Sequence, residues 1–290
     1  MIYFLKYTKF YFIFSILIIA LGSFAILKYG FNYAIDFTGG SVIEYRFKAK
    51  DVSINLIKKT LSDRKIKALS IETLDKNTFL IKTTPIDEKQ EATVRKNLEG
   101  NKSIGKVQSL RFETVGPSLG KETVRKTIIA SIVAIFGILI YITITFRKLN
   151  YGIAAIIATF HDFFVLIGVY ALLSHFLGAE VDSLFITAVL TTMAFSVHDT
   201  IVVFDKIREY RRTSALSIEI LANKALTETM VRSVNNSLTI ILMLIPLVIF
   251  GTLTLKFFAA ALLIGTITGT YSSPFIATPL LVGLEKLKSK

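Results

Sequence analysis

Residues 184–204 read LFITAVLTTMAFSVHDTIVVF, an apolar run long enough to cross a bilayer that carries a single carboxylate, Asp199, with His198 beside it. A charge at that depth costs at least about 2.5–3.5 kcal/mol, so such a residue is read as functional and a partner must be found for it. Successive helical positions turn by about 100°, and residues three or four apart share a face. Thr192, Ser196 and Asp199 meet that spacing and form a polar stripe on an otherwise apolar helix.

The rest of the chain supports reading this run as one span among several. Of the 290 residues, 52% are hydrophobic, and the mean hydropathy is +0.59. That is too apolar for a soluble domain of this length. Six segments are apolar enough to span: 10–27, 127–146, 151–173, 183–204, 234–250 and 257–284. The net charge of +13 does not form one patch, as a nucleic-acid surface would. Lys6 and Lys9, Arg147 and Lys148, Lys206, Arg208, Arg211 and Arg212, and Lys286, Lys288 and Lys290 stand where apolar segments end. Alternating spans put all four groups on one side, which predicts a multi-pass protein with both termini cytoplasmic. Ser23 and Ala25 offer a weak cleavage pattern, but the run before them is longer than a signal-peptide core and five spans follow, so the first span is expected to be retained. The chain has no cysteine, which removes disulfides and thiolate chemistry.

Between the first two spans the composition changes to mixed charge and alternating apolarity. The expected organisation is an N-terminus and first span over 1–28, an extracytoplasmic domain over 29–120 and a membrane domain over 121–290. FNYAIDF and SVIEYRF read as strand material around the turn Thr38-Gly39-Gly40. Residues 51–64 read as a helix with Ile54, Ile57 and Leu61 on one face, and 87–99 as a second helix with Ala92, Val94 and Leu98. IKALSIETL and TFLIKTT form a hairpin about Asp75-Lys76-Asn77, and VQSLRFETV closes the unit. The order strand-helix-strand-strand-helix-strand predicts an α+β ferredoxin-like domain. The overall fold class is therefore a polytopic α-helical membrane protein with six spans and that insert.

Further polar residues sit in the spans. Arg232, Asn235 or Asn236, and Thr239 line up at the start of the fifth span, so an Asp199–Arg232 pair is expected near the cytoplasmic side. The third span carries His161-Asp162 near its middle, with the two side chains expected to point apart. Histidine with carboxylate suits several metals, but no metal-ligand spacing is present and none is expected, nor any cofactor. Gly265 and Gly269, with Ser272 or Ser273, form a small-residue face in the sixth span suited to close packing. A proton relay without covalent catalysis fits these residues. A static ion pair is the structural alternative.

Five segments together resemble a known family: AIDFTGG (34–40), VGPSLG (115–120), FHDFFVLIGVYAL (160–172), SVHDTIVVFDKIRE (196–209) and RSVNNSLT (232–239). They are similar to the signature blocks of the SecF family, the smaller half of the SecD–SecF complex of bacterial protein export and part of the resistance-nodulation-division superfamily. Ala34 stands where the family usually has glycine, and His198 where asparagine is commoner. The resemblance implies a proton path through Asp199 and Arg232, to which the bottom-up reading adds His198, His161 and Asp162. It also implies an outer domain tethered at Asp36, Thr38, Gly39, Gly40, Gly116 and Pro117, the bacterial inner membrane as location, and as partners SecD, the SecYEG channel, YajC and the unfolded exported polypeptide. Export of a small molecule or lipid, and a non-conducting scaffold, are the rival readings.

Overall fold

The computed structural model describes residues 2–49, 52–101, 104–146 and 148–288. Arg147 and Lys290, used above for orientation, and Asp51, the expected start of a helix, lie outside the described residues. After a 3-10 turn over Phe4–Tyr7 the chain forms α1 (Thr8–Tyr29), β1 (Asn32–Tyr33), α2 (Ile35–Thr38), β2 (Gly40–Phe47), α3 (Ile54–Asp63), β3 (Ala68–Asp75) and β4 (Thr78–Thr83). It continues as α4 (Glu88–Glu99), β5 (Val107–Val115), α5 (Pro117–Phe146), α6 (Leu149–Leu177), β6 (Glu180–Val181), α7 (Ser183–Thr213) and α8 (Ile218–Phe250). It ends with α9 (Leu253–Ser272), a π-turn over Ser273–Ala277 and α10 (Thr278–Lys288). These elements form two compact units, Tyr33–Ile128 and the remainder.

In the smaller unit the sheet order is β3-β4-β2-β5, with every neighbouring pair antiparallel. With α3 and α4 as the two crossovers this is the ferredoxin-like arrangement. Strand alternation sends Ile43, Tyr45 and Phe47 of β2 and Phe79 and Ile81 of β4 to the covered face. Ile57 and Leu61 of α3 and Val94 and Leu98 of α4 close over them, all fully buried. Ile54, expected on the same face, is 42% exposed, because it stands in the first turn of α3, beyond the edge of the core. Asp87 caps α4 by accepting from Gln90 N at 2.7 Å, while Gln90 Oε1 accepts from Asp87 N at 3.0 Å.

FNYAIDF is not one strand. Ala34 O accepts from the amides of Phe37 and Thr38 and from the Thr38 hydroxyl, which winds Ile35–Thr38 into a helical turn. Gly39 (φ +71°) and Gly40 (φ +136°) then reverse the chain into β2 in a conformation that side chains rarely adopt.

The larger unit contains five of the six long apolar helices, with α5 entering from the smaller unit. The helices outrun the apolar segments. α7 continues past Phe204 to Thr213, and α8 begins at Ile218 rather than near Val234. Hydropathy marks only the stretch suited to hydrocarbon, whereas the helix persists through charged turns held by pairs such as Lys206–Glu209 (3.1 Å) and Arg208–Asp205 (2.7 Å). Asp199 therefore lies near the middle of its helix and Arg232 lies inside another. α9 packs against α6, α7 and α8. Phe146 at the end of α5 and Tyr151 at the start of α6 each meet Phe204 of α7 edge to face. α1 and α6 cross so closely that a Cβ on Gly168 would lie 2.6 Å from Gly22 Cα.

That crossing gives a first expected outcome. Gly168→Val forces α1 off α6, and overpacking of this kind costs about 1–3 kcal/mol. The detergent-solubilised protein is expected to show a lower thermal midpoint, while Gly137→Val, where nothing lies within 4 Å of the added Cβ, leaves it in place. A second concerns Tyr45 in the smaller unit. Its hydroxyl donates to Glu91 Oε1 at 2.9 Å, and burial together with the Glu91 charge pushes its pKa above the usual 10.0. The folded state thus keeps a proton that the unfolded chain releases. The resulting stability is fully present below pH 10.0 and is lost as pH rises toward the higher folded value. Chemical denaturation above that pH is expected to show a steeper loss of stability in the wild type than in Tyr45→Phe.

Candidate functional site

Two buried carboxylates lie in the larger unit. Asp162 projects from α6 and is 5% exposed. Its Oδ1 is 2.8 Å from His161 Nδ1, and its Oδ2 accepts from Ser272 Oγ at 2.6 Å and from Ser196 Oγ. His161 and Asp162 do not point apart as expected. A step of about 100° separates their Cβ directions, yet the imidazole reaches across its own turn to the carboxylate. The other ring nitrogen, Nε2, is buried with no hydrogen-bond partner.

Asp199 projects from α7 and is 7% exposed. Its Oδ1 accepts from Ser233 Oγ of α8 at 2.6 Å, and its Oδ2 is buried without a partner. Thr192, Ser196 and Asp199 do share one buried face. Thr192 bonds back to the carbonyls of Ala188 and Val189, while Ser196 crosses to Asp162. The next residue, Thr200, meets Ser273 at 2.9 Å. Gly265 and Gly269 of α9 permit this packing. A Cβ on Gly265 would lie 2.4 Å from Thr192 Cβ, and one on Gly269 would lie 3.0 Å from Ser196 Cβ.

The expected Asp199–Arg232 pair is replaced by Asp199–Ser233, and no ion pair joins Asp199 to Arg232. Because α8 is continuous from Ile218, its inward stripe runs Thr229, Ser233, Ser237, one position on from the expected one. Arg232, Asn235, Asn236 and Thr239 are exposed on this chain, as is His198. Arg232 lines a crevice of about 500 Å³ with Asp205, Lys206, Glu209, Glu228, Thr229 and Val202. Arg208 holds Asp205 at 2.7 Å and donates to Thr145 O at 3.2 Å, which ties α7 to the end of α5. Among the described residues no group of three or more His, Asp or Glu side chains gathers at metal-ligand distance.

Ser233 and Thr200 have no place in the sequence reading, and Ser272 or Ser273 enters it only as part of a small-residue packing face. The spacing of Thr229, Ser233 and Ser237 carried a signal for the first, but Arg232 beside it drew the phase of the stripe to the wrong face.

In the smaller unit the two glycine motifs meet. A Cβ on Gly39 would lie 3.1 Å from Pro117 Cα, and one on Gly120 would lie 3.0 Å from Gly39 N. Thr38 Oγ1 closes the turn against Ala34 O, and Asp36 sits in the first turn of α2. Gly116 has open space around it and precedes Pro117, the first residue of α5.

Comparison with known proteins places this architecture. The family described as "Protein export membrane protein SecD/SecF, C-terminal" matches residues 94–287, and the "SecD/SecF GG Motif" matches residues 24–51. Protein translocase subunit SecF of Thermobaculum terrenum is 39% identical over 290 residues, covering 95% of this chain and 91% of that protein. Protein translocase subunit SecDF of Thermus thermophilus is 32% identical, covering 92% of this chain and 36% of that longer protein. The crystal structure of SecDF from Thermus thermophilus superposes with a TM-score of 0.83 at 31% identity, covering 98% of this chain and 39% of that one. The chain is a multi-pass membrane protein that belongs to the SecF branch of the SecD/SecF family, the SecF subunits of the Sec protein translocase.

Proposed function

We propose that this subunit, together with SecD, uses proton movement through Asp162 and Asp199 to drive late steps of polypeptide export. The observation that carries the reading is the pair of buried carboxylates on adjacent helices, both hydrogen-bonded to hydroxyls, Asp162 also to His161, and neither ion-paired with arginine or lysine among the described residues. Ionisable groups inside a membrane protein mark ion and proton pathways by default. The unpartnered Asp199 Oδ2 and His161 Nε2 are the atoms at which a proton can be received.

The exposed face of Arg232, Asn235, Asn236 and Thr239 supports a partner within the membrane, because polar side chains facing lipid are costly. The fused SecDF is more than twice the length of this chain, which points to SecD as the cover and to Arg232 acting across that interface. The polarity of the basic residues supports cytoplasmic termini and an extracytoplasmic 29–120 domain in the bacterial inner membrane. In this arrangement the domain, tethered at the Gly39-Gly40 turn and Gly116-Pro117, acts on the unfolded chain emerging from the SecYEG channel, with YajC as an accessory. One charge crossing 100 mV supplies about 2.3 kcal/mol, enough to bias a two-state movement and too little to unfold a stable cargo.

Proton flux into vesicles containing the chain and SecD tests this. Asp199→Asn and Asp162→Asn are each expected to reduce flux by about a hundred-fold, the low end for removing a positioned acid–base group. Flux at the wild-type level in both variants would sink the relay. Full rescue of export by Asp199→Asn in a depleted strain would favour a scaffold, and drug sensitivity with normal export would favour small-molecule efflux.

A further inference from the structure

Four consecutive residues, Thr270, Tyr271, Ser272 and Ser273, each hydrogen-bond to a different helix. Thr270 shares a bond with Ser237 of α8. The Tyr271 hydroxyl meets Ser15 of α1 at 2.6 Å and donates to Tyr11 O at 3.2 Å. Ser272 donates to Asp162 of α6 at 2.6 Å, and Ser273 meets Thr200 of α7 at 2.9 Å. Three helical steps of about 100° separate these four residues, so their side chains leave the helix in four directions and reach α8, α1, α6 and α7 in turn.

Two details make this girdle responsive rather than merely cohesive. The first is that Ser272 has a second acceptor, Gly269 O of its own helix, at 3.2 Å. With Asp162 ionised, the serine proton bonds across to α6. With a proton on Asp162 Oδ2 directed at Ser272, the carboxyl becomes the donor, Ser272 accepts from it while turning its own proton to Gly269 O, and Ser196 continues to donate to the remaining lone pair of Oδ2. No proton is lost in the exchange, but the direction of the bond reverses. The second is that the helical ladder changes at this point. The π-turn over Ser273–Ala277 starts within the girdle, Pro274 brings no amide proton, and Thr278 Oγ1 satisfies Ser273 O at 2.9 Å. The regular helical ladder is therefore interrupted between α9 and α10, at the girdle itself.

We propose that the Thr270–Ser273 girdle is the coupling element of this subunit. A change of protonation at Asp162 turns the end of α9, and Tyr271 passes that turn to α1, the helix that leads into the tethered domain. Tyr271 and Ser15 hold no proton in transit. They are positioning residues. This inference rests on the relay reading above and adds the part that converts it into movement.

The test uses the full chain with SecD in vesicles, measuring proton flux and gradient-driven export side by side. Tyr271→Phe removes both bonds to α1 and leaves the bonds of Asp162 and Asp199 in place. It is expected to keep flux within about two-fold of wild type while export falls at least about five-fold, the low end for coupling between sites. Unchanged export would overturn the proposal. So would flux and export falling together, since that would put Tyr271 in the proton site. Ser15→Ala, which removes one of the two bonds from the opposite helix, is read in the same way should Tyr271→Phe fail to accumulate. A wild type without flux overturns the relay itself, an outcome separate from any effect of Tyr271→Phe.

Discussion

A carboxylate removed from water must be hydrogen-bonded or neutralised, and the larger unit is arranged around meeting that requirement at Asp162. Its two oxygens draw in His161 from α6, Ser196 from α7 and Ser272 from α9. The bonds from Ser196 and Ser272 fix the rotation of α7 and α9 about their axes, while His161 holds the carboxylate from its own helix. The glycines at 265 and 269 follow from this, because hydroxyl-to-carboxylate bonds of this length require the helices to approach within a distance that side chains on α9 would block. The polar centre and the small-residue seam are thus two consequences of one requirement.

Asp199 is served differently. It has one hydroxyl bond from Ser233 of α8, the Ser273 hydroxyl close by, and an Oδ2 that completes no hydrogen bond, although it is buried almost as deeply as Asp162. Buried polar atoms left unsatisfied are rare and costly, and they are retained where function needs them. The two carboxylates therefore form an unequal pair. One is held from several helices and one is open on one side, bridged by Ser196 and Asp199 lying three residues apart on the same face of α7. That asymmetry suits two unlike stations on one proton path, with the membrane potential setting the direction of net movement.

Much of this was legible in the sequence because it depends on period. The face shared by Thr192, Ser196 and Asp199 follows from spacing within one helix, and the βαββαβ order of the insert follows from alternation and turn residues. What was not legible depends on the meeting of elements distant in the chain. Whether Arg232 or Ser233 faces Asp199 turns on the rotation of α8, which is set by its contact with α9 and by a start at Ile218 that hydropathy does not mark. His161 was read as pointing away because a helical wheel gives the direction of Cβ and not the reach of a ring. Ile35, Asp36 and Phe37 have a composition that suits a strand, while the bonds to Ala34 O that wind them with Thr38 into a helical turn are local and leave no mark in the sequence. Ser272 was read as packing, which it is, but the same small side chain is also a ligand to Asp162.

The central claim is that Asp162 and Asp199 change protonation when a proton gradient is applied. Infrared difference spectroscopy on vesicles containing the chain and SecD, recorded across an imposed gradient, observes carboxyl protonation directly. The account predicts gradient-dependent bands of a buried carboxyl group, with one component missing in Asp162→Asn and another in Asp199→Asn. A gradient-dependent carboxyl signal that persists unchanged in both variants, or no such signal in the wild type, would contradict it.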